Sequence, residues 1–323
     1  LRALHARALV FNADPSPQTV QGGINMTQKF TTLAVSAALG LFSTTPVAAA
    51  PFFFSTGNPD GLMATATRPA SAGKFEIESA DDFVLTGPTS TSINSATFTG
   101  LIPLDSPLTD IGEVRVEIYR VFPTDSDVTR TSGPSTFSTP NVPTRVNSPS
   151  DVELVDRDTA SGNLSVTVKQ LQTSFSANNS VKPGGIHPMP NVFTGGNGPV
   201  TGEEVEFDVT FTTPFLLPAD HYFFVPQVEL ANGDFFWLSA KRPIDSSGTP
   251  FPPGFTDLQS WTRDDSNGGI APDWLRVGTD ITHQGPFNAT FSLTGEVVPE
   301  PASLILICTA FAAMGFARRR KLN

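Results

Sequence analysis

Cysteine is nearly absent from this chain. Its 323 residues include one, Cys308, inside an apolar run from Leu304 to Phe316. The region between the two ends has none, which excludes disulfide staples, cysteine-type zinc sites and thiol catalysis there. Charge is scarce too: Asp, Glu, Lys and Arg make up 16% of the chain, with 20 basic against 31 acidic residues. From Pro51 to Val298 the imbalance sharpens to 29 acids against 13 bases, a net charge of −16. Such a surface repels nucleic acid, so no nucleic-acid partner is expected. Histidine is limited to four residues. The three in the body, His187, His221 and His283, form no HxH or HExxH pair, and no G-x-S-x-G elbow occurs. Tyrosine is rare, the body shows no convincing amphipathic helix, and no internal repeat is visible.

What is abundant points to β structure. There are 26 Phe, 29 Pro and 26 Gly, a composition of aromatics and turn formers. In 112–122, Val114, Val116, Ile118 and Val121 interleave with Arg115, Glu117 and Arg120; Ile93–Ile102, Leu164–Leu171 and Glu203–Phe211 alternate in the same way. Alternation of this kind predicts strands with one face buried and one wet. Shorter strands are expected near Phe52–Phe54, 75–78, 83–85, 222–225, 228–230, 234–240 and 287–297. Asn232-Gly233 signals a hairpin turn, and Pro226 an edge position or a bulge. Residues 123–150, rich in Ser, Thr and Pro, read as a long surface excursion, Ser176–Pro199 as a second loop and Lys241–Gly285 as mostly loop. About nine or ten short strands make an all-β protein, an antiparallel two-sheet β-sandwich of jelly-roll-like type over 51–297, with a pair of immunoglobulin-like domains as the alternative.

Both ends read as addresses. Residues 1–25 precede Met26 and read as an upstream extension. Residues 26–50 have the order of a signal peptide: Lys29, an apolar Leu33–Phe42, then Pro46-Val47-Ala48-Ala49-Ala50, with signal peptidase expected to cut around Ala48 to Ala50. Residues 298–323 carry Pro299, Glu300 and Pro301, an apolar stretch expected to form a transmembrane helix over 302–317, and a basic tail of Arg318, Arg319, Arg320 and Lys321. The run is short beside the roughly 20 residues of a full span, and its basic end is expected to stay cytoplasmic. This three-part pattern resembles the PEP-CTERM sorting signal of exported bacterial proteins. The resemblance covers 26 residues. It implies export across the inner membrane, transient anchoring, and removal near the Pro-Glu-Pro motif by an exosortase, a membrane cysteine protease. The cut chain then goes to the cell surface or outside it. It also implies a setting of exopolysaccharide and biofilm, and nothing about what the body does.

Few body residues suggest chemistry. Asp264, Asp265 and Asn267 bunch oxygen donors, as do Asp156-Arg157-Asp158 and Asp81-Asp82. Calcium, which takes roughly six to eight oxygens, is the one cofactor such loops suit; Asx turns are the simpler explanation. Trp261 and Trp274 are flanked by Asp and Arg, a grouping that suits a carbohydrate-binding site, although loop tryptophans also plug the ends of sandwiches. Trp237, in F-F-W-L, reads as core. Glu204 and Glu206 share a strand face beside Glu203, but a solvated edge explains them without a glycosidase acid pair. The expected function is a non-enzymatic surface or matrix protein that associates with extracellular polysaccharide. A carbohydrate-binding module and a secreted hydrolase are the alternatives.

Overall fold

The computed structural model describes residues 49–128, 146–186, 193–265 and 274–298, which lie in one compact unit. In chain order the strands are β1 (Ala50–Ser55), β2 (Pro59–Ala66), β3 (Ile77–Leu85), β4 (Thr91–Ile102), β5 (Ile111–Arg120), β6 (Val155–Asp158), β7 (Leu164–Ala177) and β8 (Asn179–Val181). They continue with β9 (Val200–Leu217), β10 (Asp220–Leu230), β11 (Phe236–Ala240), β12 (Trp261–Asp264), β13 (Leu275–Arg276), β14 (Asn288–Ala289) and β15 (Phe291–Val297).

Two sheets result. The nine-stranded sheet follows β1-β15-β4-β11-β2-β8, with β9 also on β4, β7 beyond β9, and β14 on β11; the six-stranded sheet follows β13-β12-β3-β10-β5-β6. Pairing is antiparallel except for β2 with β8. The alternating runs fold as their pattern requires. Val114, Val116 and Ile118 of β5, and Val205, Phe207, Val209 and Phe211 of β9, enter one core between the sheets. Phenylalanine fills that core. Phe224 of the six-stranded sheet stacks on Phe291 of the other, centroids 4.9 Å apart and rings 7° from parallel, and Phe98 stacks on Phe207 at 4.7 Å. Each such buried side chain stabilises the fold by about 1.5–3 kcal/mol. Gly100 leaves room for the Phe235 ring; a Cβ there would overlap it.

Several expectations are corrected. Asn232-Gly233 makes no hairpin: β10 belongs to the six-stranded sheet and β11 to the nine-stranded one, so this turn passes the chain between layers. It does so because β11 has two apolar faces to bury, Trp237 in the central core and Leu238 in a second cluster. The two short runs around Pro226 are one strand, β10, interior in its sheet, although at Pro226 itself only β5 is paired, which is locally the expected edge position. Pro226 sits where the β3 ladder has already ended at Phe224, so its missing N–H interrupts no bond there, and its carbonyl accepts from Thr67 Oγ1 at 2.5 Å. Trp261 lies on a strand instead of a loop. The loop expected at Ser176–Pro199 contains β8 and a 3-10 turn, Pro183–Gly185.

Candidate functional site

The outer face of the six-stranded sheet is where this body concentrates ionisable groups. Strand parity puts Glu78, Ala80 and Asp82 of β3, Glu117 and Tyr119 of β5, and His221, Phe223, Val225 and Gln227 of β10 on the side away from the central core. An ordinary sandwich would leave this face wet. Here Phe223 and Val225 are fully buried, because Leu258, Trp261 and Trp274 pack on them with Tyr119 and Ala80; Gln227, also fully buried, donates to Glu76 Oε1 at 3.1 Å.

Under that cover four polar side chains meet. The Tyr119 hydroxyl lies 2.6 Å from Glu78 Oε1 and 3.2 Å from Glu117 Oε2. Arg263 donates from Nη2 to Glu78 Oε1 and to the Tyr119 oxygen, 2.8 Å each, and from Nε to Glu78 Oε2. Its guanidinium lies over the Trp274 ring, 4.4 Å from the centroid. Burial opposes ionisation of Glu78, but the Arg263 charge outweighs it and holds the carboxyl below its ordinary pKa. Glu117 has a more distant partner, Arg115 Nη1, 3.6 Å from its Oε1; burial, with the negative Glu78 beside it, still pushes its pKa up to about 10. The cluster therefore holds one ion pair and one neutral carboxylic acid, which is how a closed site accommodates two glutamates.

Asp81 and Asp82, adjacent on β3, point to opposite faces. Asp82 Oδ2 meets His221 Nε2 at 2.6 Å and accepts from Leu258 N at 3.1 Å, fastening the cover. Asp81 accepts from Ala289 N at 2.7 Å and Ser260 Oγ at 3.2 Å, fastening the strand end inside the sandwich. Burial raises both pKa values. Their work is mechanical, and only the placement of two acids in an apolar run hinted at it.

Beside this cover is an open pocket of about 500 Å³, lined by Asn147, Arg242, Asp257, Gln259, Trp261 and Arg276 among others. Its polar groups are held in place. Arg242 donates to Asp257 Oδ1 at 3.1 Å and Asn288 Oδ1 at 2.7 Å, Arg276 bonds both Asp280 oxygens at 2.8 and 2.6 Å, and Gln259 Oε1 accepts from Thr279 at 2.7 Å. The size falls within the range of small-ligand sites.

The tryptophans singled out from sequence are both buried, Trp261 1% and Trp274 3% exposed, so neither ring presents an open stacking face. Trp274 Nε1 donates to Ser150 O at 3.1 Å, whereas Trp261 Nε1 has no hydrogen-bond partner among the described residues. Asp264 ends β12 opposite Ile77, and Asp265 follows it with its N–H donated to Glu76 O at 3.1 Å; Asn267 lies outside the described residues. Among the described residues no three His, Asp or Glu side chains are grouped to hold a metal ion. Glu204 and Glu206 share a face of β9, with Glu204 buried and Glu206 half-buried. His187, Pro299, Glu300, Pro301 and the basic tail Arg318, Arg319, Arg320 and Lys321 lie outside the described residues. The chain enters and leaves the body at one corner, where Ala50 pairs with Val297 and Val298 N donates to Ser90 O at 2.8 Å.

Comparison with known proteins adds one finding: residues 297–321 match the PEP-CTERM protein-sorting motif. No curated protein matches the chain, and no solved structure does.

Proposed function

We propose that this chain is an exosortase substrate. It is exported across the inner membrane after signal peptidase removes its leader, held by its C-terminal segment, and cut near Pro299–Pro301. It then works at the cell surface or in the matrix as a non-enzymatic polysaccharide-binding protein. The match at 297–321 carries the exosortase reading. Polysaccharide binding is supported by the pocket beside Trp261, whose braced Arg242, Asp257, Gln259 and Arg276 offer the planar hydrogen-bonding groups that sugar hydroxyls take. The sugar in this reading lies in the pocket, and Trp261 contributes to the wall.

The test has two arms. In cells carrying an exosortase, replacing Pro299, Glu300 and Pro301 together by alanine leaves the chain uncut and membrane-bound; release of the triple variant at the normal rate contradicts the sorting reading. On a glycan array the released body binds extracellular polysaccharide, and Arg276→Ala with Gln259→Ala abolishes that binding. An empty array contradicts the sugar reading alone.

The hydrolase alternative has one observation in its favour, the neutral Glu117 beside the ionised Glu78. A general acid wants a pKa near the working pH, however, and Glu117, pushed up to about 10 and 3% exposed, is a poor donor. The pair fits a closed structural cluster better.

A further inference from the structure

We propose that before its tail is cut the body stands end-on at the outer face of the bilayer, with the loops 86–90 and 217–219 against uncharged lipid headgroups. This rests on the reading of the C-terminal segment as a membrane anchor.

The geometry comes from the strand ends. Ala50, Val297, Thr91 and Leu217 form one cross-strand row, so β1, β15, β4 and β9 all terminate together. The same end is closed by the loop from β3 to β4 and the loop from β9 to β10, since Leu85 pairs with Asp220. The anchor leaves from this row. Between Val298 and Leu304 lie only Pro299–Ser303, and at no more than about 3.6 Å per residue the row is within roughly 25 Å of the apolar run. The opposite end is out of reach: β10, rising about 3.3 Å per residue from Asp220 to Leu230, puts Asn232 roughly 35 Å further away. The leader joins at the same corner, through Ala49.

The chemistry of this end differs from that of the whole body. Thr86-Gly87-Pro88-Thr89-Ser90 and Leu217-Pro218-Ala219 carry no charge, in a body of net −16. Leu216 at the end of β9 and Val298 just after β15 are exposed beside them, at 64% and 37%, and Phe53, three residues into β1, at 56%. The acids at this end are Asp220 and Glu296, with Asp125 and Asp127 on the β5 side. Arg120, paired with Asp125, and Arg157, bonded to Thr213 O, lie near this end without forming a basic cluster among the described residues, so a zwitterionic surface is the partner that fits.

A cysteine-free body makes the test direct. In the full chain carrying Cys308→Ser, single cysteines are placed by Thr86→Cys, Ala219→Cys or Asn232→Cys, all exposed positions, and labelled with a fluorophore. The chain is then reconstituted in phosphatidylcholine vesicles bearing a headgroup nitroxide quencher. Quenching at positions 86 and 219 with none at 232 is expected. Equal quenching at all three, or none at any in a chain that floats with the vesicles, overturns the end-on placement. A chain that does not float with the vesicles overturns the anchor reading beneath it.

Discussion

Ala50 stands directly opposite Val297 on paired strands, so the first and last strand residues of the body are cross-strand neighbours. The two processing points read from the sequence, Ala48–Ala50 and Pro299–Pro301, flank a single ladder.

That closeness predicts the kinetics of tail removal. Val298 is bonded to Ser90 one residue before Pro299, and β15 is paired on both sides. Proteins commonly receive a peptide segment as an extended strand, which a residue already in a ladder cannot supply. A Gly-Ser-Gly-Ser insertion between Val298 and Pro299 therefore speeds cutting, read as the ratio of cut to uncut chain in a pulse–chase. An unchanged ratio would show that nothing upstream of Pro299 limits the protease.

Arg263→Met leaves Glu78 buried without its counter-charge. Losing one partner of a buried pair costs about 3–5 kcal/mol. The measurement is urea unfolding, and adding Glu78→Gln to the same chain recovers some of the loss. Full stability in the single variant would mean that the pair contributes nothing.

Glu117 sets a pH dependence of definite sign. Its carboxyl has an ordinary pKa of 4.5 and one of about 10 in the fold. Below the ordinary value the group is protonated in both states and its contribution is fully present. Between the two values the folded state holds the extra proton, so stability falls as pH rises and the contribution is lost on passing the folded value. Glu117→Gln flattens this fall: its melting temperature equals the parent's near pH 4 and exceeds it near pH 9. Parallel curves would refute the buried neutral acid.

The two tryptophans of the cover respond differently to the same change. Trp274→Phe strands Ser150 O, while Trp261→Phe removes an N–H that has no partner among the described residues. Leaving a buried acceptor unpaired costs about 1–3 kcal/mol, so Trp274→Phe is the more destabilising by about that margin. Equal losses in thermal unfolding would contradict this assignment.

The strands with one wet face were legible in the sequence. β9 alternates because its outward face stays wet, and β5 because its outward residues stay polar even where the cover buries Glu117 and Tyr119; both were placed within a few residues of their observed starts. β3 and β10 were broken into pieces because both their faces are buried and alternation disappears. The polar cluster was not legible: Glu78, Glu117 and Arg263 come from three separate strands and meet only through sheet pairing. The one local sign was charge inside apolar runs, Glu78, Asp81 and Asp82 within nine residues of β3. Charges in such a run require partners from elsewhere in the chain, and a turn or calcium reading of Asp81-Asp82 overlooked that. Trp261 and Trp274 read as loop because the strands near them are only four and two residues long.

Asp81 and Asp82 have a consequence for the proposed life outside the cell. Asp82 holds the layer above β3, and Asp81 ties the strand end below it to Ser260 of the cover, so neither layer can peel away by itself without stranding a buried carboxyl. The expected result is that a protease added to the folded body finds few partly opened forms to nick. If the chain works outside the cell as proposed, its durability there rests on two neighbouring acids facing opposite ways, in a protein that has no disulfide in its body to provide it.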